Sequence, residues 1–573
     1  MEVLPNELLI ECFKYLDGLD IFQSFDGLNH RFSTLIRSVP LYIDFENMTT
    51  ENYYSTALQL FSNVELKKQI YSLKITTNNG YQLKLFALGY AIDGLIHLRS
   101  LSSRESNINF EMIVQMNLQK ALELTCFHMP FHIYDVGDSL SLLPMSQLRV
   151  LTLLSLLGFN GVWNIFSTIT NLTLRGSSGS TIHNLLTYAI NLKYLHVVMF
   201  INIERYENYE EIRTDPSKSL KHLTIDECCN DDFPLFESIL KRTGNLISLT
   251  LAHTATIPHS FINQWEHLIR TSIPNLKIFN FSFQYSSLTK DSDIRQNYEQ
   301  LQTDFWLKEH HWYTDCILSK NNKSMIYTVP YKWNRFELSS FSDIYSNQMI
   351  NRRTLFANVN SLDLSFDSAT NSDIFYFPFL TSISLDHDCL NENYFQWLRS
   401  TVNRTNVNSL YISAKCQFEN SHLLLELLKQ SPKISSLSIH RKTLLPLFHN
   451  DQLCEYLSKT IKKLTLLKYD GLTTFKNRKS FDSIDEKFAR TFVNVEKLNC
   501  TINERQSIQF ILESLPKLSN LEIHTQNDDN TTDFVEFTET IATKLGIQVI
   551  VEKANNINYR CTIWIIRNTM NKT

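Results

Sequence analysis

Paired cysteines at zinc-ribbon spacing are missing. The chain has ten cysteines (Cys12, Cys126, Cys228, Cys229, Cys316, Cys389, Cys416, Cys454, Cys500 and Cys561), and none forms a CxxC motif. That absence argues against zinc-ribbon chemistry. Several of these thiols fall inside apolar periodic segments, where a small thiol serves as packing. The adjacent Cys228 and Cys229 read as thiols at a strand end rather than a redox pair. A secretory leader is also missing: MEVLPNELLIE has no basic start and carries acids in its apolar stretch. No window reaches the ~18 uninterrupted apolar residues that a membrane-spanning helix needs. The richest, VLTLLSLLGF at 150–159, is too short and alternates like a buried strand. NLT at Asn171 and NFS at Asn280 fall in expected strands, so they read as chance glycosylation triplets. The expected compartment is reducing, cytoplasmic or nuclear.

Catalytic signatures are missing too. There is no GxSxG, HExxH, P-loop or post-strand GxGxxG. No carboxylates pair at a spacing that predicts acid–base work. Glu309-His310-His311 is the densest histidine site. Adjacent residues of a strand point to opposite faces, so one metal would not take both imidazoles. The expectation is a protein without catalytic residues, cofactor or metal. No basic run is present, so neither nucleic acid nor an anionic membrane is expected as a partner. Residues 1–46 hold eight acids and three bases, and this start alone accounts for the net charge of −5.

One pattern, apolar-x-x-apolar-x-apolar, returns along the chain. It reads IYSLKI at 70–75, LRVLTL at 148–153, LKYLHV at 192–197, LISLTL at 246–251 and LKIFNF at 276–281. It resumes with VNSLDL at 359–364 and continues through ISSLSI at 434–439 to LSNLEI at 518–523. LRSLSS at 98–103 and QKALEL at 119–124 are poorer copies. Most steps between copies fall within the 20–29 residues of a leucine-rich repeat. Amphipathic helix patterns sit between them. SHLLLELLKQSP at 421–432 has Ser421 as N-cap, and SIDEKFARTF at 483–492 has a Ser483/Glu486 capping box. DDFPLFESILKRTG at 231–244 starts with an early Pro234 and ends at Gly244.

A strand followed by a helix at this period is the unit of an α/β solenoid. The expected fold class is therefore α/β, a leucine-rich-repeat horseshoe preceded by a small all-α module of three helices. Strands should line a concave face, with residues such as Ser248, Thr250, Ser361, Asp363, Ser438 and Asn499 pointing outward from it. The expected organisation is a helical module at 1–45, a first array at 46–281, an aromatic insertion at 282–358, a second array at 359–545 and a hairpin cap at 546–573. In the insertion, WYTDCIL, SKNNKS and MIYTVPY read as a hairpin with a polar turn. Its crowd of Trp306, Trp312, Tyr313, Tyr327, Tyr331 and Trp333 is expected to bury against the array, since large aromatics mostly do.

The opening stretch LPNELLIECFKYLDGLDIFQSFDGLNHRFSTLIRS spans Leu4 to Ser38. Pro5 suits a first helical turn, and Leu8, Leu9, Cys12, Phe13 and Leu16 fall on one helical side. Asp17–Gly18 ends that helix, and Asp20 can cap the next. Some 35 residues cannot build a self-sufficient core, so the apolar surplus needs a partner. The run Leu4-Pro5, Glu7-Leu8-Leu9, Phe13, Leu16, Asp20-Ile21, Arg31-Phe32 and Leu35-Ile36 resembles the F-box in order and spacing. It departs at Leu28, where valine is common, at Asn29, where Cys or Ser is common, and in lacking a following tryptophan. The resemblance implies a substrate receptor of an SCF-type cullin-RING ubiquitin ligase. Leu4, Pro5, Leu8, Phe13, Leu16 and Ile21 would dock on the adaptor subunit, and through it a cullin. The solenoid would hold an unknown target protein for ubiquitin-dependent degradation. A second reading stays open: a non-degradative leucine-rich scaffold whose helical start only caps the first repeat.

Overall fold

A computed structural model describes residues 4–45, 56–57, 59–75, 94–103, 118–128, 140, 143–156, 159, 161–200, 217–228, 233–255, 261–285, 289–319, 324–347, 352–365, 375–467, 486–501, 505–524, 528–553 and 560–566. The chain forms two compact units. The first is Met1–Trp312 with Met325–Tyr327; the second is Tyr313–Ser324 with Thr328–Thr573. Both are mixed α/β with long parallel sheets.

The first unit opens with α1 (Asn6–Phe13), α2 (Gly18–Phe25) and α3 (His30–Ile36). Ten parallel strands then lie side by side in chain order. They are β1 (Leu41–Asp44), β2 (Ile70–Ile75), β3 (Ser100–Ser103), β4 (Cys126–His128), β5 (Val150–Ser155), β6 (Asn171–Ser177), β7 (Tyr194–Phe200), β8 (His222–Cys228), β9 (Ser248–Ala255) and β10 (Ile278–Tyr285). Their register puts one apolar residue of each unit beside the next: Leu73, Leu101, Phe127, Leu151, Leu172, Leu195, Leu223, Leu249 and Phe279. All nine are buried. A unit of this size has too little apolar surface to close its own core, so neighbours supply the rest.

A backbone device fixes that register. The carbonyl two residues before the aligned core position accepts two N–H groups from the next unit. Arg99 O takes those of Thr125 (3.0 Å) and Cys126 (2.9 Å); Lys193 O takes those of Lys221 and His222, both 3.0 Å. The second unit does the same. Asn360 O accepts from Thr381 (2.8 Å) and Ser382 (3.0 Å), and Glu496 O from Ser519 (2.9 Å) and Asn520 (3.1 Å). The doubled bond satisfies the donors at the bend, where a lone ladder bond would leave one N–H unmade.

The fourth strand corrects one repeat assignment. QKALEL contributes no strand: Leu118–Lys120 is a single 3-10 turn, and Leu122 is 69% exposed. The strand lies five residues later, with Phe127 in the core. Ala121, Leu124 and Phe127 carry the three-residue apolar spacing, and all three are fully buried.

In the second unit, Arg335–Ser339 pairs parallel with Ser361–Ser365, aligning Phe336 with Leu362. Parallel pairing continues through Ser382–Leu385, Ser409–Ile412, Ser436–His440, Lys463–Leu467 and Lys497–Thr501 to Asn520–His524. The interval 282–358 therefore contains a further unit with the repeat register, as well as the expected hairpin strands Thr314–Ser319 and Met325–Thr328. Its aromatics are packed. Trp306 and Trp312 join Phe279 and Phe305 in the first unit, and Tyr331 meets Phe336 edge-on in the second. The end of the array carries the expected hairpin. Gln548–Lys553 pairs antiparallel with Arg560–Ile566, which in turn covers Asn520–His524.

Candidate functional site

The three opening helices are each specified locally. Pro5, at φ −56°, leads into α1 with no N–H to leave unmade. Asp17, not Asp20, caps α2, accepting from Leu19 N at 2.8 Å. Burial, with the nearby charges of Asp20 and Asp44, raises its carboxyl above the usual range. Asn29 caps α3, accepting from Phe32 N at 2.9 Å, the work Ser does at such a position.

Inside the module Phe25 lies between Phe13 (5.2 Å) and Phe32 (5.4 Å), and Leu9, Ile21, Leu35 and Ile36 complete the core. The module is anchored on the first strand through Gly18. A Cβ on Gly18 would stand 2.9 Å from the carbonyl oxygen of Tyr42, so only glycine fits the approach of α2 to β1.

This packing divides the six residues expected to meet an adaptor. Leu4, Pro5, Leu8 and Leu16 are exposed, Leu8 by 52%. Phe13 (3%) and Ile21 (2%) are enclosed by their own chain and belong to the core of the module. The physical reason is the 100° turn per helical residue. Leu9 and Phe13, four apart, face the core, while Leu8 and Cys12 lie one residue earlier on an outward stripe. Two residues that the sequence reading did not assign to the contact surface extend the exposed apolar set: Tyr15 at 83% and Leu28 at 59%. Tyr15 follows Cys12 by three on the same stripe, a signal the helical period carries. Leu28 precedes the cap of α3, in a turn where period says nothing.

The strand face is the second candidate surface. Ser361, Ser382, Ser409 and Ser436 stand in one row, and Asp363, Ser384, Tyr411 and Ser438 in the next, as the repeat pattern requires. In the first unit that face is already hydrogen-bonded to itself. His196 Nε2 meets Asp226 Oδ2 at 2.6 Å, and Asn280 donates to Thr250 Oγ1 at 3.3 Å. His222 stacks on Tyr194 with ring centroids 4.3 Å apart.

Glu309-His310-His311 lies not in a strand but at the end of a wide helical turn, Phe305–Glu309. Glu309 pairs with Arg270 at 3.2 Å, His310 stacks on Trp312 at 4.0 Å, and His311 takes a left-handed φ of 56°. Among the described residues no three His, Cys, Asp or Glu side chains gather as a metal-binding group. Among the same residues, no helix is long and apolar enough to cross a membrane. Cys229 and Ser483, and with Ser483 the expected Ser483/Glu486 capping box, fall outside the residues described; Glu486 is the first residue of the helix Glu486–Thr491. Ser421 is the first residue of its helix rather than the cap, which is Asn420.

No protein-family model matches the chain, and no curated protein matches it.

Proposed function

We propose that the chain is the target-recognition subunit of an SCF-type ubiquitin ligase, an F-box module followed by leucine-rich repeats. One observation carries the reading. A three-helix module whose core of Leu9, Phe13, Ile21, Phe32 and Ile36 is buried, with Phe25 half-buried between Phe13 and Phe32, keeps further apolar residues, Leu4, Leu8 and Leu16, exposed. An exposed apolar set that the fold does not need is a binding surface for helical packing. The repeats would hold the target protein, and the complex would supply proximity rather than chemistry. No catalytic residue or cofactor is assigned to the chain, and its place of work would be the cytoplasm or nucleus.

The scaffold reading has its own support. The fit of Gly18 against Tyr42 seals α2 onto β1, which is what an end cap does. Binding of the purified chain to the SCF adaptor subunit separates the two. The receptor reading expects a stable complex, abolished in Leu8→Asp and weakened in Leu4→Ala/Pro5→Ala, with unchanged thermal melts. No complex, or equal complex formation by both variants, would leave the scaffold reading standing.

A further inference from the structure

The linear sequence has no basic run, but the fold assembles one. The residue whose carbonyl takes the doubled hydrogen bonds recurs once per unit at the same edge of the first sheet. The position two residues before the aligned core residue is an exposed cation in five of the eight strands β3 to β10 (Arg99, Arg149, Lys193, Lys221 and Lys277), and is Thr125, Thr170 and Ile247 in the other three; the Lys277 carbonyl accepts from Trp312 Nε1 instead of the doubled pair. Lys218, three residues before Lys221, is also exposed. Neighbouring strands lie about 4.8 Å apart, so the row from Arg99 to Lys277 crosses roughly 34 Å.

Acids do not balance it locally. In the five residues that precede the aligned core position of each of these strands, the only acid is Glu123, which bridges Arg99 and His97 at 3.0 Å each. Among the described residues Arg149, Lys193, Lys218, Lys221 and Lys277 form no ion pair. The Lys221 charge is felt at His222, which burial first, and then this lysine, holds below its ordinary value. Cations lined up at one side of a sheet raise the local concentration of an anionic partner and weaken with salt.

We propose that this row binds an extended acidic segment of a protein, laid across the strands with its carboxylates on the lysines and Arg149. The proposal deepens the target-receptor reading, on which it rests for the role of the bound protein. A polypeptide fits better than nucleic acid for two reasons. The row is one cation wide, whereas a duplex presents two lines of phosphates. Single strands need free aromatic faces to stack on. Here Tyr194 is faced by His222, and Tyr71 is covered by His97 and by the Arg99 guanidinium at 4.9 Å. The flanking strand residues Thr173, Thr224, Ser248 and the exposed Ile278 offer hydroxyls and an apolar contact suited to side chains.

The test uses the full chain and fluorescence anisotropy. The probes are a labelled twelve-residue peptide alternating Glu and Ser, its Gln/Ser counterpart, a twelve-nucleotide thymidine strand and a twelve-base-pair duplex. The acidic peptide is expected to bind, and to weaken as sodium chloride rises from 50 to 500 mM. Lys193→Glu/Lys221→Glu should lose about tenfold in affinity, and Lys429→Glu/Lys517→Glu less than twofold, since the effect is local. Where the reversed pair fails to melt like wild type, Lys193→Gln/Lys221→Gln gives the same reading at lower amplitude. Equal affinity of the variant and wild type overturns the proposal. So does equal binding of the Gln peptide, tighter binding of either nucleic acid, or no binding of the acidic peptide. No adaptor is present in the assay, so failure here leaves the adaptor reading untouched, and the reverse holds.

Discussion

Arg31 of α3 reaches back to the start of α1: its Nε donates to Asn6 Oδ1 at 2.8 Å, and a terminal nitrogen donates to the carbonyl of Leu4. The arginine that completes the F-box resemblance is thus a brace. It holds the segment bearing Leu4 and Leu8 against α3, whose Arg31 lies 25 residues after Asn6. A planar fork suits this double duty, because one side chain meets two acceptors at fixed angles.

On the proposed adaptor-docking reading, Arg31→Met should weaken adaptor binding although Arg31 is not one of the proposed contact residues. The stability cost should be small, about 1 kcal/mol, as for a partly exposed hydrogen-bonding group. Adaptor affinity is the more telling measurement. Arg31→Lys keeps the charge but not the fork, so it should restore binding only in part. Full restoration by lysine would mean that charge, not the brace, matters.

Gly18→Ala tests the seat of the module. At the first position of α2 alanine would ordinarily gain helix propensity of up to ~1 kcal/mol. Here the new methyl meets a backbone oxygen at 2.9 Å, which cannot rotate away. Overpacking of this kind costs about 1–3 kcal/mol, so the net sign should be destabilising. Chemical denaturation followed through an amide-exchange probe on β1 reads the effect where it arises. A stabilised variant would show that α2 does not press on β1.

The corrected fourth strand makes a paired prediction. Leu122→Ser removes an apolar group already in water and should change stability by no more than about 0.5 kcal/mol. Phe127→Ala empties a fully buried site and should cost about 3–5 kcal/mol. Denaturant midpoints of the two variants decide between the registers, and the reverse order would restore the one read from QKALEL.

That register error marks where the linear reading stops. Spacing alone exposed most of the strands, because parallel stacking demands an apolar residue at one position of every unit. It failed where leucine was replaced. WNRFEL at 333–338 has the same pattern in aromatic form, and its strand Arg335–Ser339 stands in register with the next. At 119–124 a spurious leucine matched while Phe127 did the packing. The helical module was legible as three amphipathic pieces. The helical period separates Phe13 from Leu8, Cys12 and Tyr15, but which of the two stripes turns inward depends on where α2 and α3 pack on α1. The basic row escaped for a simpler reason: Arg99, Arg149, Lys193, Lys221 and Lys277 are 28 to 56 residues apart in sequence and come to one edge only when strands stack.

His183 gives a pH-dependent prediction away from any binding face. It is buried on the helix Gly179–Tyr188, with Nδ1 3.1 Å from an Arg242 terminal nitrogen and Nε2 3.0 Å from Ser238 Oγ. Arginine only donates, so Nδ1 must accept and the ring is neutral with its proton on Nε2. Burial, and then the Arg242 charge, lower its pKa from 6.5 to about 4. The unfolded chain thus takes up a proton near pH 6.5 that the folded chain refuses until about 4. Stability from this site is complete above pH 6.5 and is lost as pH falls through that window. At pH 5 the loss should be about 1–2 kcal/mol. His183→Gln can still accept from Arg242 and donate to Ser238, yet it cannot titrate. Its denaturant midpoint should match wild type at pH 7.5 and exceed it at pH 5. A parallel acid loss in both proteins would mean that the imidazole is free to take its proton in the folded state.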